Sequence, residues 1–203
     1  MPPFAANPDY TPADFLKTQQ RHYASEDFII SCGCVPVDPA LRKIAILRET
    51  TDPEHEIVSL PKGRKNIGED LQTAALRETY EETGIRFLGL KLRTATRATP
   101  TPKHPSYKEG ANPGVTRDVR NHEASSVVMY PDISTGCFKM VFWYPAEGDS
   151  TQPPDENTRE SWEMNTVVEW VDAHVAASRM SFDADRNVIE KVLADMRYTG
   201  YNI

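Results

Sequence analysis

Apolar positions change their spacing along the chain, and the changes divide it into elements. Residues 27–37, DFIISCGCVPV, form a nearly unbroken apolar run and predict a buried strand, closed by the turn signal Asp38-Pro39. KIAILR at 43–48 predicts a second strand. Ile57 to Leu60 predict a short one that feeds directly into Pro61-Lys62-Gly63. From Asp70 to Thr83 the period becomes helical, with Leu71, Ala74, Ala75 and Leu76 on one stripe, and Gly84 is placed to stop the helix in the left-handed conformation. Strand character returns at 85–97. Residues 123–130 and 137–144 predict a strand pair, 167–171 another strand, and 182–198 a closing helix. Polar, proline-containing stretches at 50–56, 98–121 and 145–160 predict loops. Near the start, residues 1–10 predict no regular structure, and Thr11 caps a short predicted helix ending near Tyr23. Strands alternating with helices predict an α/β fold, a sheet with helices on both faces. The expected division is an N-terminal extension, 1–24, and one domain, 25–203, carrying a long basic loop at 98–121.

Composition narrows the class. The chain has 203 residues, 39% of them hydrophobic, with 16 prolines and a mean hydropathy of −0.55, which favours one core with long loops over two compact domains. No apolar run approaches the roughly 20 residues of a membrane helix. The start, MPPFAANPDY, lacks the basic and apolar regions of a secretory signal, so a cytoplasmic location, or a nuclear one, is expected. Cys32, Cys34 and Cys137 do not make a disulfide framework, and Cys32 and Cys34, two apart on a strand, share one face as small apolar side chains. A net charge of −7 argues against a general nucleic-acid binder.

The candidate chemistry lies between 63 and 85, GRKNIGEDLQTAALRETYEETGI. Glu78, Glu81 and Glu82 stand at i, i+3 and i+4 of the predicted helix, so three carboxylates share one face. Like charges repel, and such a cluster calls for a cation among them. Oxygen ligands at this density suit Mg²⁺, or Mn²⁺, better than zinc. A solvated acidic helix face would explain the glutamates, but not their combination with Gly63, Glu69, Arg77 and Gly84.

These residues resemble the Nudix box, G-x5-E-x7-R-E-U-x-E-E-x-G-U, in which U is usually a bulky aliphatic residue. Gly63, Glu69, Arg77, Glu78, Glu81, Glu82, Gly84 and Ile85 fill the named positions, and Thr79 departs at the first U. The resemblance implies an α/β/α sandwich around a mixed sheet. It also implies hydrolysis of a P–O–P bond in a nucleoside diphosphate linked to another moiety, or in a related diphosphate. By resemblance Glu78, Glu81 and Glu82 ligate Mg²⁺, Glu69 helps to organise metal and water, and Arg77 fixes the loop against the helix. Glu78, Glu81, Glu160 and Glu163 all remain open as the general base. A catalytically dead relative that senses a ligand usually lacks one of the metal glutamates, and this chain has all three.

Substrate class follows from charge distribution. Lys62, Arg64 and Lys65 flank Gly63, and Arg64 stands where many family members carry a second glycine. Residues 86–121 hold eight Lys or Arg against Glu109 and Asp118, a net of 8 − 2 = +6. Such a stretch is either a clamp for a polyanion or a solvated insertion. Arg48, Lys62, Gly63, Arg64, Lys65, Lys103, Arg117 and Arg120 are the candidate substrate contacts. Many cations suit a small molecule with many phosphates, so the expectation is the branch that cleaves diphosphoinositol polyphosphates and diadenosine polyphosphates. Nucleotide-sugar, dinucleotide and NTP pyrophosphatases and RNA-decapping relatives are the alternatives. Trp143, Tyr144, Trp162 and Trp170 could stack a base or could serve as core or cleft wall.

Overall fold

A computed structural model describes residues 21–49, 56–103, 107, 115–117, 119–156, 158 and 165–203. The helix expected from Thr11 falls almost wholly outside them, as do Trp162, Glu160 and Glu163. The described elements are strands β1 (Phe28–Asp38), β2 (Lys43–Glu49), β3 (Ile57–Ser59) and β4 (Lys62–Arg64), helix α1 (Leu71–Thr83), strands β5 (Leu88–Gly89), β6 (Ser126–Pro131), β7 (Phe138–Glu147) and β8 (Thr166–Asp172), and helices α2 (Ala173–Arg179) and α3 (Asp183–Thr199). The strands make one mixed eight-stranded sheet with the path β3-β2-β1-β7-β5, to which β4 adds on β1, β6 on β7 and β8 on β2. Among the described strands only β1 and β7 run parallel, in register from Phe28↔Phe138 to Val37↔Glu147.

Side-chain alternation divides the core between the two faces of this sheet. Val35 and Val37 of β1, Ile44 and Ile46 of β2, and Val141 and Trp143 of β7 pack with α2 and α3. Their sequence neighbours Cys32, Cys34, Ala45, Tyr144 and Ala146 pack beneath α1 with Ala74 and Ala75. The expected fold, helices on both faces of a mixed sheet, is the one observed, and the two cysteines share one face as small buried side chains.

The strands nearest α1 are arranged by a divergence. β1 and β2 pair only at Val37↔Ile44 and Asp38↔Lys43 before separating. The segment from Ile57 to Arg64 crosses the opening: β3 pairs with β2, and after Leu60-Pro61 the chain shifts to β1 as β4, with Gly63 opposite Cys32. Asp185, in the first turn of α3 and 7% exposed, accepts the Leu60 amide at 3.4 Å, and Val58 and Ser181 exchange two further bonds. The crossing is thus held from the α3 side.

Several expected boundaries shift. β4 and α2 are additions. Residues 85–97 contribute only the two residues of β5 and isolated bridges, Leu92↔Asn121 and Thr96↔Thr116, which fasten the two ends of the basic stretch together. β7 runs past Tyr144 through Pro145. The Pro145 carbonyl accepts from Leu90 on the side away from β1, the side to which its missing N–H would also have pointed, so proline costs no ladder bond to β1.

Asp38, 3% exposed, fixes the β1–β2 turn by accepting the amides of Ala40 (3.0 Å), Leu41 (2.9 Å) and Ser150 (2.8 Å). Burial opposes its charge, but these bonds outweigh burial and hold the carboxyl below its ordinary range. A depressed acid stabilises the fold above its unfolded pKa and loses that contribution as pH falls through the folded value. Asp38→Ala should cost about 1–3 kcal/mol at neutral pH. In urea unfolding the deficit should shrink once pH drops below about 4.

Candidate active site

α1 begins at Asp70, whose carboxylate accepts the amides of Gln72 and Thr73 as the N-cap, and ends at Gly84, left-handed at φ 72°. Glu69 therefore stands immediately before the cap. Thr79, the departure from the box, is fully buried and donates its hydroxyl to the Ala75 carbonyl at 2.7 Å. Its polar atom is satisfied within the helix, so threonine fills an aliphatic position without an orphaned donor.

Arg77 is the hub. It grips Glu69 with two parallel bonds, Nε to Oε1 and Nη2 to Oε2, both 2.9 Å. Its Nη1 donates to Glu78 Oε1 and to Glu81 Oε2, both at 2.7 Å, and Nη2 also reaches the Arg64 carbonyl at 3.0 Å. One planar guanidinium thus spends its fork on three carboxylates and a strand carbonyl, a geometry that lysine cannot reproduce. Glu69 in turn accepts the Asn66 amide at 3.0 Å, which closes the loop between β4 and α1.

Two further contacts lock α1 to β4. Glu82 Oε2 accepts the Lys62 amide at 2.6 Å. The Glu78 carboxylate lies on Gly63, where a Cβ would fall 1.8 Å from Oε2. The value of Gly63 is therefore its missing side chain. It sits inside a strand and is not among the residues with positive φ, so what it supplies is space and not a special backbone conformation.

Among the described residues, no three His, Cys, Asp or Glu side chains are arranged around a common point as metal ligands would be. Arg77 supplies the cation between Glu78 and Glu81, and Glu82 turns one oxygen to the backbone. The donor set still fits a hard divalent cation: three carboxylates on one helical turn, with Glu78 seated flush in a cradle that only glycine leaves open.

The model of the NUDIX domain matches residues 28–192. The chain belongs to the NUDIX family. This Nudix chain shares its fold with solved structures, among them a NUDIX hydrolase from Nitrosomonas europaea (TM-score 0.51, 16% identity, covering 82% of this chain and 88% of that one). A C. elegans Ap4A hydrolase in a binary complex is also similar (TM-score 0.52, 19% identity, 84% and 98%). Among curated proteins, none matches. The family assignment makes the chain a diphosphate hydrolase of the Nudix type.

The candidate substrate residues of this Nudix domain do not form one group. Lys62, Gly63 and Arg64 form β4 directly against α1, and Lys65 follows, its ammonium bonded to the Asn66 carbonyl at 2.9 Å. Lys103 is exposed. The others are committed elsewhere. Arg48 pairs with Glu56 at 3.0 Å and with Glu169 at 3.5 Å, and Glu169 also binds Arg179 of α2. Arg117 pairs with fully buried Asp195 of α3 at 3.0 Å and stacks on Tyr198, and Arg120 lies over Tyr201. These three arginines serve the α2–α3 side of the sheet, away from the carboxylates of α1. Trp143 is core, 1% exposed.

The Arg77 bonds hold Glu69 below the ordinary glutamate range, with burial opposing and the Asn66 amide assisting. That contribution is present above the unfolded pKa and disappears as pH falls through the lower, folded one. Arg77→Ala should remove about 1–3 kcal/mol at pH 7, between the values for exposed and buried pairs. In an NMR titration the Glu69 carboxyl should move up toward its model-peptide pKa of about 4.3.

Proposed function

We propose that this Nudix hydrolase is a Mg²⁺-dependent pyrophosphohydrolase of highly phosphorylated small molecules, with diphosphoinositol polyphosphates and diadenosine polyphosphates as the favoured classes. The observation that carries the reading is the carboxylate group on α1 held against the cationic strand Lys62-Gly63-Arg64 through Arg77 and Glu82. Glu78, Glu81 and Glu82 are the residues that would hold Mg²⁺, or Mn²⁺ in its place. When bound, such an ion neutralises phosphoryl oxygens and lowers the pKa of water.

The chain's own residues supply positioning and charge. Arg77 fixes the carbonyl of Arg64 and the carboxylates of Glu69, Glu78 and Glu81 in one frame, so the acids and the backbone of β4 keep a set distance. Lys65 follows β4 at that frame, while Lys62 and Arg64 alternate to the other face of the strand and offer their donors to phosphoryl oxygens across it. Glu78 and Glu81 are the described carboxylates able to take a proton from an attacking water. Cations along the strand favour substrates with several phosphates, and the Ap4A hydrolase among the fold relatives carries such a substrate in its name. Nucleotide sugars, dinucleotides and NTPs are the second class to test.

The test is to incubate the protein and Mg²⁺ with diphosphoinositol phosphates, Ap5A, Ap6A, ADP-ribose, NADH and capped RNA, and to resolve the products. Preferential release of phosphate or nucleotides from the first three supports the reading; turnover confined to the others moves the substrate class. Glu81→Gln should lower kcat by about 10³-fold or more if the carboxylate acts on charge or protons in the transition state. A ligand-sensing protein would bind these compounds without turnover and would be indifferent to that change. Gly63→Ala displaces a flexible side-chain tip and no backbone, so the thermal midpoint should move by only about 2–4 °C while turnover falls, because Glu78 must leave its seat.

A further inference from the structure

The face of β1 that looks toward α3 is flanked by three cations, Lys62 and Arg64 of β4 and Lys139 of β7, the last far from the motif in sequence. On that face β1 presents Ile29, Ser31 and Gly33. β4 runs along one side of it, with Arg64 opposite Ser31 and Lys62 opposite Gly33. β7 runs along the other, with Lys139 opposite Ile29, Val141 opposite Ser31 and Trp143 opposite Gly33. Val141 and Trp143 belong to the α2–α3 core, so Lys139 occupies an inward-facing position of the same strand. It is half-buried, and Tyr130 of β6 is its cross-strand partner. The Cβ of Lys62 and the ring of Trp143 both press on Gly33, which brings the two flanking strands together over a floor without side chain.

Three cations drawn onto one side of a sheet repel one another, and an inward lysine is costly unless its charge meets an opposite one. Burial and the neighbouring Lys62 charge hold Lys139 below the ordinary lysine range, Arg64 adding to the effect and Asp132 and Glu82 opposing it. The groups that face this cluster are Tyr130, Asp132, Asp185 and Glu82. Asp185 accepts the Leu60 amide, Asp132 the Ser134 and Thr135 hydroxyls, and Glu82 the Lys62 amide. Each of these acids thus has a bond of its own within the fold. Ser31 Oγ, buried on this face opposite Arg64, has no hydrogen-bond partner among the described residues. A surplus donor of this kind, beside cations that crowd one another, matches a ligand made only of acceptors.

We propose that Lys139, with Lys62 and Arg64, forms a phosphate-chain subsite on the α3-facing side of the sheet, and that Lys139 is a specificity-determining residue for substrates with more than two phosphates. The inference rests on the hydrolase reading above for its substrate class. Glu82 joins the subsite to the glutamates of α1, since its carboxylate takes the Lys62 amide. Adjacent strands lie about 4.8 Å apart, so Lys139 and Arg64, two strands apart, flank a width of about 10 Å that flexible cationic side chains close over an extended phosphate chain.

Inorganic tripolyphosphate and pyrophosphate, titrated calorimetrically into the full chain in EDTA, read the subsite without turnover. Lys139→Met should weaken tripolyphosphate binding about tenfold or more and pyrophosphate much less, whereas Lys139→Arg should stay within about threefold of the parent. With Mg²⁺ and Ap5A, the same change should raise KM and leave kcat nearly constant. Equal tripolyphosphate affinity in Lys139→Met and the parent overturns the proposal, as does an equal loss for both phosphates. Should Lys139→Met fail to fold, amine acetylation of the unaltered protein decides: tripolyphosphate must shield Lys139, and absence of shielding overturns the subsite. Turnover of the substrate panel with no dependence on Lys139 removes the subsite alone. Lys139-dependent binding without turnover of any panel member keeps the subsite and removes the hydrolase reading.

Discussion

Three carboxylates, Glu69, Glu78 and Glu81, share the guanidinium of Arg77, which also takes the carbonyl of Arg64. Without it, these like charges would repel one another with no cation among them, and the loop between β4 and α1 would lose its bond to Glu69. With it, acids that repel one another become the fastening between helix and sheet. The pairs with Glu69 and Glu78 are partly sheltered, with side-chain exposures of 24% for Arg77, 12% for Glu69 and 14% for Glu78, so solvent weakens them less than the pair with the more open Glu81.

The site is positioned by both faces of the sheet. α1 presses on β4 from one side, while Asp185 and Ser181 hold the β3–β4 crossing from the other. β4 is only three residues long and depends on both. Its middle residue meets the Glu78 carboxylate on the α1 side, and its flanking residues Lys62 and Arg64 project toward α3 by strand alternation. A single short strand therefore presents glycine to the acids and cations to the opposite face.

Much of this was legible in the sequence. β1, β2, β8, α1 and α3 follow from apolar spacing, and the stop at Gly84 follows from its place after the last helical residue. Arg77 and its acids could be named from spacing alone. That Arg77 itself is the cation among them could not, because spacing gives a shared face and not the direction of each rotamer. β4 escaped notice because Lys62-Gly63-Arg64 has no apolar period, and α2 because Ala173, Ala176 and Ala177 give a weak stripe directly after a strand. Arg117 and Arg120 read as available cations because their partners Asp195, Tyr198 and Tyr201 lie far along the chain, and Arg48 because one of its two partners, Glu169, does. For Lys139 a signal was present: it shares the parity of Val141 and Trp143 in an otherwise apolar strand, a lysine at an inward position.

Cys32 and Cys34 lie fully buried beneath α1, and burial pushes their thiols up to about 11 and about 12, while Cys137 remains partly open at the β6–β7 turn. The folded chain thus offers maleimides and spin labels a single address. Cys32 and Cys34 come within reach of such reagents only where the helix carrying the glutamates is off the sheet, so their labelling would time any such opening.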